Sequence, residues 1–170
     1  MLVTVNKGVT NGTPEPNTVP PLALVYQFTV PALGIAFSEK LVGDIASKII
    51  GRMYNVFAFY DLYRDVSLED NQIPDSNNIL DIWIISRLNQ VVNEVHQAME
   101  LYELDKATRP FDLFIDDLST WYLRRSRDRL KDGDVDAKKT LYYVLKTTAK
   151  LLAPFAPFSA EDIWQKLRSD

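Results

Sequence analysis

Asp116-Asp117-Leu118-Ser119-Thr120-Trp121-Tyr122-Leu123-Arg124-Arg125-Ser126-Arg127-Asp128-Arg129 joins an apolar stripe to a cluster of positive charge. Upstream of it, Phe111, Phe114 and Ile115 lead into Leu118 and Tyr122 at the spacing of one helix face. Downstream, Arg124, Arg125, Arg127, Arg129 and Lys131 crowd together, opposed by Asp128 alone. The stretch reads as an amphipathic helix from an N-cap at Asp105 to about Leu130. Pro110 disturbs its first turns and Gly133 stops it. On such a helix Trp121, Arg124 and Arg125 share a side, and so do Arg124 and Asp128.

The same period recurs on either side. Leu41, Val42, Ile45, Ile49, Met53, Val56, Phe57 and Tyr60 predict a first helix from a Ser38 N-cap to about Tyr63. After a polar linker over Asp65–Asn78, a second runs from Ile79 to Tyr102 with a stripe of Ile82, Ile85, Leu88, Val92, Val95 and Met99, widened by Trp83. A fourth, capped by Asp134 or Asp136, covers Ala137–Leu152 and turns Leu141, Val144, Leu145, Thr148 and Leu152 inward. Pro154 and Pro157 end it, and Ser159 with Asp162 resembles a capping box for a short last helix through Leu167. Short connections favour antiparallel neighbours. The fold class is all-α: an antiparallel helical bundle over residues 37–170, preceded by an irregular N-terminal segment over residues 1–36. That segment strings together Asn6, Gly8, Asn11, Gly12, Pro14 and Pro16, which is loop chemistry.

Composition removes several functions. With no cysteine and a single histidine, His96, the chain offers neither a thiolate or imidazole metal cluster nor a Ser-His-Asp triad. His96 reads as a surface or boundary residue. No P-loop, dinucleotide fingerprint or Gly-x-Ser-x-Gly elbow occurs. The uncharged run from Pro16 to Ser38, apolar over Leu22–Phe37, has the length of a membrane span. Pro20, Pro21, Pro31 and Gly34 break it, so an irregular segment packed on the domain is expected instead. A net charge of −4 means that any nucleic-acid contact must come from a local basic stripe.

The arginine run is that stripe. Arginine forks suit phosphate oxygens, and an aromatic beside them can stack an unpaired base. The residues in this role are Trp121, Arg124, Arg125, Arg127, Arg129 and Lys131. Two plainer readings stand beside it. The run can be a solvated basic face with Trp121 and Tyr122 in the core, or one of its arginines can pair internally with Asp116 or Asp117. Those adjacent aspartates have no partner group for catalysis and read as structural.

Ordered segments along the chain resemble the isoleucyl-tRNA synthetase family. Tyr102-Glu103-Leu104-Asp105-Lys106-Ala107 is similar to its Tyr-x-Leu-x-Lys-Ala element. Asp117-Leu118-Ser119-Thr120-Trp121-Tyr122-Leu123-Arg124-Arg125-Ser126-Arg127 resembles its Asp-Leu-Ser-Asn-Trp-Tyr-x-Arg-Arg-Ser-Arg signature, with Thr120 in place of the usual Asn. Phe37-Ser38-Glu39-Lys40, Asp81-Ile82-Trp83-Ile84-Ile85-Ser86-Arg87-Leu88-Asn89 and Leu151-Leu152-Ala153-Pro154-Phe155-Ala156-Pro157-Phe158 agree as well. The likeness covers Phe37 to about Leu167. Before it, Pro14-Glu15-Pro16-Asn17 resembles the segment after the family's Lys-Met-Ser-Lys-Ser loop. That loop and the His-Ile-Gly-His motif are absent, which suggests a truncated or frame-disturbed gene fragment.

The resemblance implies a bundle of the class I synthetase anticodon-binding type that holds the anticodon arm of isoleucine tRNA. It implies no catalytic residue, no metal and no cofactor in this chain, since ATP and isoleucine serve the full-length enzyme. The expected partners are that tRNA and the catalytic body of the synthetase. No membrane association, a monomeric state and a cytoplasmic location are also expected. The alternative is a helical bundle acting as a protein-interaction or structural module without RNA binding.

Overall fold

A computed structural model describes residues 46–65 and 72–168, and over these every regular element is helical. A π-helical segment, π1 (Ala46–Gly51), runs into α1 (Arg52–Tyr63). Then come α2 (Ile79–Glu100), α3 (Leu104–Asp116), a second π-helical segment π2 (Asp117–Tyr122), α4 (Leu123–Lys131), α5 (Val135–Leu152) and α6 (Pro157–Leu167). The Ser38 cap, the apolar run Leu22–Phe37 and the boundary between residues 36 and 37 lie outside the described residues. Among those described, no helix is long and apolar enough to cross a membrane.

Local chemistry fixes the helix ends. The Asn78 side chain accepts from the Leu80 N–H to start α2. Asp134 accepts from the Asp136 and Ala137 N–H groups to start α5, satisfying two donors that have no partner within the helix. Between α4 and α5 the chain reverses in three residues. The Gly133 N–H bonds back to the Leu130 carbonyl and the Asp134 N–H to the Arg129 carbonyl, with Gly133 at φ +85°. This is a Schellman turn, and glycine occupies its left-handed position at no steric cost. The α2–α3 turn repeats the geometry with Tyr102 at φ +57°, a conformation that L side chains disfavour.

Two expected caps are not used. Helix α3 begins at Leu104, so Asp105 lies inside its first turn and pairs with Arg109 at 2.8 Å. Helix α6 begins at Pro157, whose fixed φ and missing N–H suit a first helical position. Ser159 is therefore already inside the helix, and Asp162 is engaged by Tyr54 and Lys166.

The core lies where α5 packs on α2 and α6 while α3 packs along α2. Leu141, Val144, Leu145, Thr148 and Leu152 are buried as the periodicity predicts, and so are Met53, Val56, Phe57 and Tyr60 of α1. Helix α2 departs from its predicted phase. It buries Asp81, Ile84, Leu88, Val91, Val95 and Ala98, leaving Ile82 54% exposed. Only Leu88 and Val95 belong to both stripes. The rotation turns Asp81 inward, where it finds polar partners.

The long rod α3–π2–α4 carries the other departure from regular geometry. Phe114, Leu118, Tyr122, Ser126 and Leu130, spaced four apart, are all buried. On a regular α-helix each step of four overshoots by about 40°, so the first and last would point about 160° apart. The π2 segment, with its Leu123 N–H bonded to the Leu118 carbonyl five residues back, offsets much of that drift and keeps the series on the core.

Candidate nucleic-acid interface

The phase set by π2 sorts the arginine run into two groups. Leu123, Ser126 and Leu130 face the core, so Arg124, Arg125, Arg127 and Lys131 face solvent. Trp121 is 52% exposed, whereas Tyr122 beside it is fully buried. The reading that put both aromatics in the core holds for Tyr122 alone. The Arg125 guanidinium lies 4.6 Å from the Trp121 ring centroid, and that of Arg127 lies 5.3 Å from the Phe59 ring centroid. Cations held over ring faces gain from the ring quadrupole while keeping their donors open.

Arg129 is turned the other way. Its Nη1 and Nη2 donate to the two carboxylate oxygens of Asp81 at 3.0 and 2.9 Å, and its Nε donates to Asp134 Oδ2 at 2.8 Å. Asp81 is fully buried and also accepts from Tyr122 Oη at 2.9 Å and Ser76 Oγ at 2.7 Å. Its oxygens thus collect four donors, the satisfaction that a buried carboxylate requires. Hydrogen bonds donated to Asp81 and Asp134 outweigh the effect of burial and hold the guanidinium charged even more firmly than usual. Burial, then the Asp81 charge and hydrogen bond, push the Tyr122 hydroxyl well above its ordinary value. Burial alone would raise the Asp134 carboxyl, but the Ala137 N–H, the Arg129 guanidinium and the Asp136 N–H together hold it below its ordinary value. With each of its three nitrogens donating to a carboxylate, Arg129 stands apart from the five other residues singled out in the sequence.

Asp116 and Asp117 are paired, but with cations outside the run: Arg52 Nη1 to Asp116 at 2.7 Å and Arg87 Nε to Asp117 at 3.0 Å. These bridges tie the end of α3 to α1 and the start of π2 to α2, and among the described residues neither aspartate pairs with Arg124, Arg125 or Arg127. Asp81 is the residue that sequence reasoning missed. Its signal was a lone acid within the apolar segment Ile79–Ile85, one residue before the expected stripe begins at Ile82. His96 is exposed, as expected. Among the described residues no group of histidines and carboxylates could hold a metal ion. The groove between α2 and α3 is lined in part by Lys106 and Arg109, which are tied to Glu103 and Asp105, and it contains none of the predicted RNA contacts.

The described residues thus form a helical bundle with an exposed arginine–tryptophan ridge on one rod. Residues 81–170 match the family model of the anticodon-binding domain of tRNA ligase, and the chain belongs to that family. Similar proteins include isoleucine–tRNA ligases. That of Clostridium novyi is 38% identical over 151 residues, covering 84% of this chain and 14% of the relative. That of Clostridium acetobutylicum is 39% identical over 150 residues, with the same coverage. That of Chlamydia trachomatis is 36% identical over 156 residues, covering 88% of this chain and 15% of the relative. The chain therefore spans about one seventh of the length of the relatives it matches.

Proposed function

We propose that this chain is the part of an isoleucine–tRNA ligase that holds the anticodon arm of isoleucine tRNA. The observation that carries this reading is the exposed pair Trp121 and Arg125, one cation stacked on one ring, flanked by Arg124, Arg127 and Lys131. Loop bases of an RNA are bound by stacking and edge hydrogen bonds, and phosphates by arginine forks. The reading assigns the loop contacts to Trp121 and Arg125, phosphate contacts to Arg124, Arg127 and Lys131, and a scaffold role to Arg129.

Isoleucine activation with ATP belongs, on this reading, to a catalytic body, because this chain contains neither nucleotide motif of the family. Its partners are then the tRNA and that body. A cytoplasmic, monomeric protein that takes no cofactor of its own fits the same picture. The test is binding of an isoleucine-tRNA anticodon stem-loop over a range of salt. Replacing Arg124 or Arg127 with alanine should weaken binding and lower the salt slope by about one per lost phosphate contact, with helical content unchanged. Parent-like affinity in both variants would refute the assignment.

A further inference from the structure

The π2 segment leaves the common helical form at the residues that carry the exposed ring. Such turns are rare inside α-helices and recur at functional sites. An α-register over Asp117–Tyr122 would satisfy the backbone with bonds four residues apart. Contacts from neighbouring helices are therefore needed to favour the five-residue register seen here.

Helix α2 supplies such contacts at both ends of π2. At the start, Arg87 Nε donates to Asp117 Oδ2 at 3.0 Å, while Arg87 Nη1 donates to Gln90 Oε1 at 2.6 Å and so fixes the guanidinium on its own helix. At the end, Tyr122 Oη donates to Asp81 Oδ1 at 2.9 Å. Asp117 and Tyr122 are the first and last residues of π2. Their partners Arg87 and Asp81 stand six residues apart, about 9 Å along α2. A single tie would leave π2 able to roll about its axis, whereas two ties at different heights fix both its height and its rotation. Arg52 of α1 adds a third, to Asp116 just before π2, at 2.7 Å. Trp121 lies between the ties. With Tyr122 pinned inward, the preceding residue points roughly a quarter turn away, which leaves its ring half exposed against the Arg125 guanidinium.

We propose that Arg87 and Asp117 are positioning residues for RNA binding: their ion pair, with the Tyr122–Asp81 bond at the far end, holds π2 in the register that presents Trp121 and Arg125 to a loop base. This rests on the anticodon-arm reading and explains how its central ring is aimed. Neither residue touches the RNA, and two signs separate this role from plain electrostatics. Removing an acid beside a phosphate-binding surface should strengthen binding through charge alone, but loss of Asp117 weakens it if Asp117 aims the ring. Loss of a phosphate contact lowers the salt slope, but loss of Arg87 leaves the slope at the parent's value.

The test uses the full chain labelled with 5-fluorotryptophan and the anticodon stem-loop of isoleucine tRNA. Arg87→Ala and Asp117→Ala should each bind at least about fivefold more weakly, the lower limit for a lost stacked base, with the helical circular dichroism of the parent. The fluorine resonance of Trp121, assigned by its absence in Trp121→Phe, should move in both variants, while that of Trp164, assigned in the same way, stays. Arg87→Lys, which keeps a cation in reach of Asp117, should retain the resonance and most of the affinity. If an alanine variant loses helical content, Asp117→Asn takes its place with the same expectations. Arg124→Ala is measured in parallel. A Trp121 resonance that does not move overturns the proposal whatever the RNA does. So does tighter binding by Asp117→Ala, or a slope lowered by about one in Arg87→Ala, which would make Arg87 a phosphate contact. If Arg124→Ala weakens binding and the Arg87 and Asp117 variants do not, the positioning role falls and the anticodon reading stands. If no variant weakens binding, Arg124→Ala included, both fall.

Discussion

Arg129 holds Asp81 with both terminal nitrogens, Nη1 to Oδ1 at 3.0 Å and Nη2 to Oδ2 at 2.9 Å, joining the C-terminal end of the long rod to the first turn of α2. Through Nε it reaches Asp134, the residue that caps α5, so three helix ends share one guanidinium. Breaking a buried ion pair from one side leaves an uncompensated charge and costs about 3–5 kcal/mol. Asp81→Ala should therefore lower unfolding stability by about that amount in denaturant titrations. Ser76→Ala, which removes one of four donors, should cost about 1 kcal/mol. Near-parent stability in Asp81→Ala would mean that the pair contributes nothing beyond solvation.

Tyr102 presents the opposite case, a residue whose removal should help. It is 90% exposed and sits at φ +57° in the turn that ends α2. The left-handed conformation costs a non-glycine residue about 1–2 kcal/mol, and no core contact offsets this. Tyr102→Gly should gain stability by up to about 1 kcal/mol, reduced by the extra freedom glycine brings to the unfolded chain. A stability loss on chemical denaturation would show that the ring contributes more than its exposure indicates.

Much of the bundle was legible because hydrophobic period is a strong signal where burial is purely apolar. The core faces of α1 and α5 were read correctly, as was the Gly133 stop. The errors fall where polar chemistry decides. A buried aspartate is invisible to hydrophobic patterning, so α2 was read out of phase, and the inward turn of Arg129 depends on that aspartate. The π2 segment left a trace in the spacing of Phe114, Leu118, Tyr122, Ser126 and Leu130. Ser126 broke the apolar series, so the run of fours went unread. Asp105 and Ser159 were good capping residues in the wrong register, outdone by the α2–α3 turn and by Pro157.

Alkaline pH should probe the α1–α6 contact. Tyr54 Oη donates to Asp162 at 2.9 Å, and Lys166 donates to the same carboxylate oxygen at 2.7 Å. Burial first, then the Asp162 hydrogen bond and charge, push the Tyr54 hydroxyl from 10.0 up to about 12. Its folded value lies above its unfolded one. The stability it contributes is therefore full below pH 10 and is lost as pH rises from 10 to about 12, where the unfolded chain ionises first. Other tyrosines and lysines titrate in the same range, so the informative quantity is the difference between the parent and Tyr54→Phe. The variant should be less stable near neutrality and should lose less between those limits. Parallel decline of the two proteins would show that Tyr54 is not held in its protonated form.

Trp121 is now a usable probe, which sequence alone could not establish: a core tryptophan would have confounded loss of binding with unfolding. Its ring is half exposed, and its recorded ring partner is the guanidinium of Arg125. Removing it deletes one exposed cation–π contact, worth about 0.5–1 kcal/mol, and the contacts of the covered half of the ring. Trp121→Ala should therefore lower the melting transition less than truncation of a fully buried aromatic such as Phe114. Stacking of an unpaired base on an aromatic side chain is worth about 1–3 kcal/mol by alanine substitution. The anticodon stem-loop should accordingly bind about 5- to 150-fold more weakly to the variant, at any salt concentration, since stacking releases no counterions. Trp121→Phe should recover part of the loss. The salt slope separates this residue from its neighbours: it should be unchanged in Trp121→Ala and reduced in Arg124→Ala. Fluorescence gives an independent readout, because RNA should quench the parent's tryptophan emission more than that of Trp121→Phe, in which Trp83 and Trp164 remain. An unchanged affinity together with an unchanged quench would remove Trp121 from the interface and leave the arginines as a purely electrostatic contact.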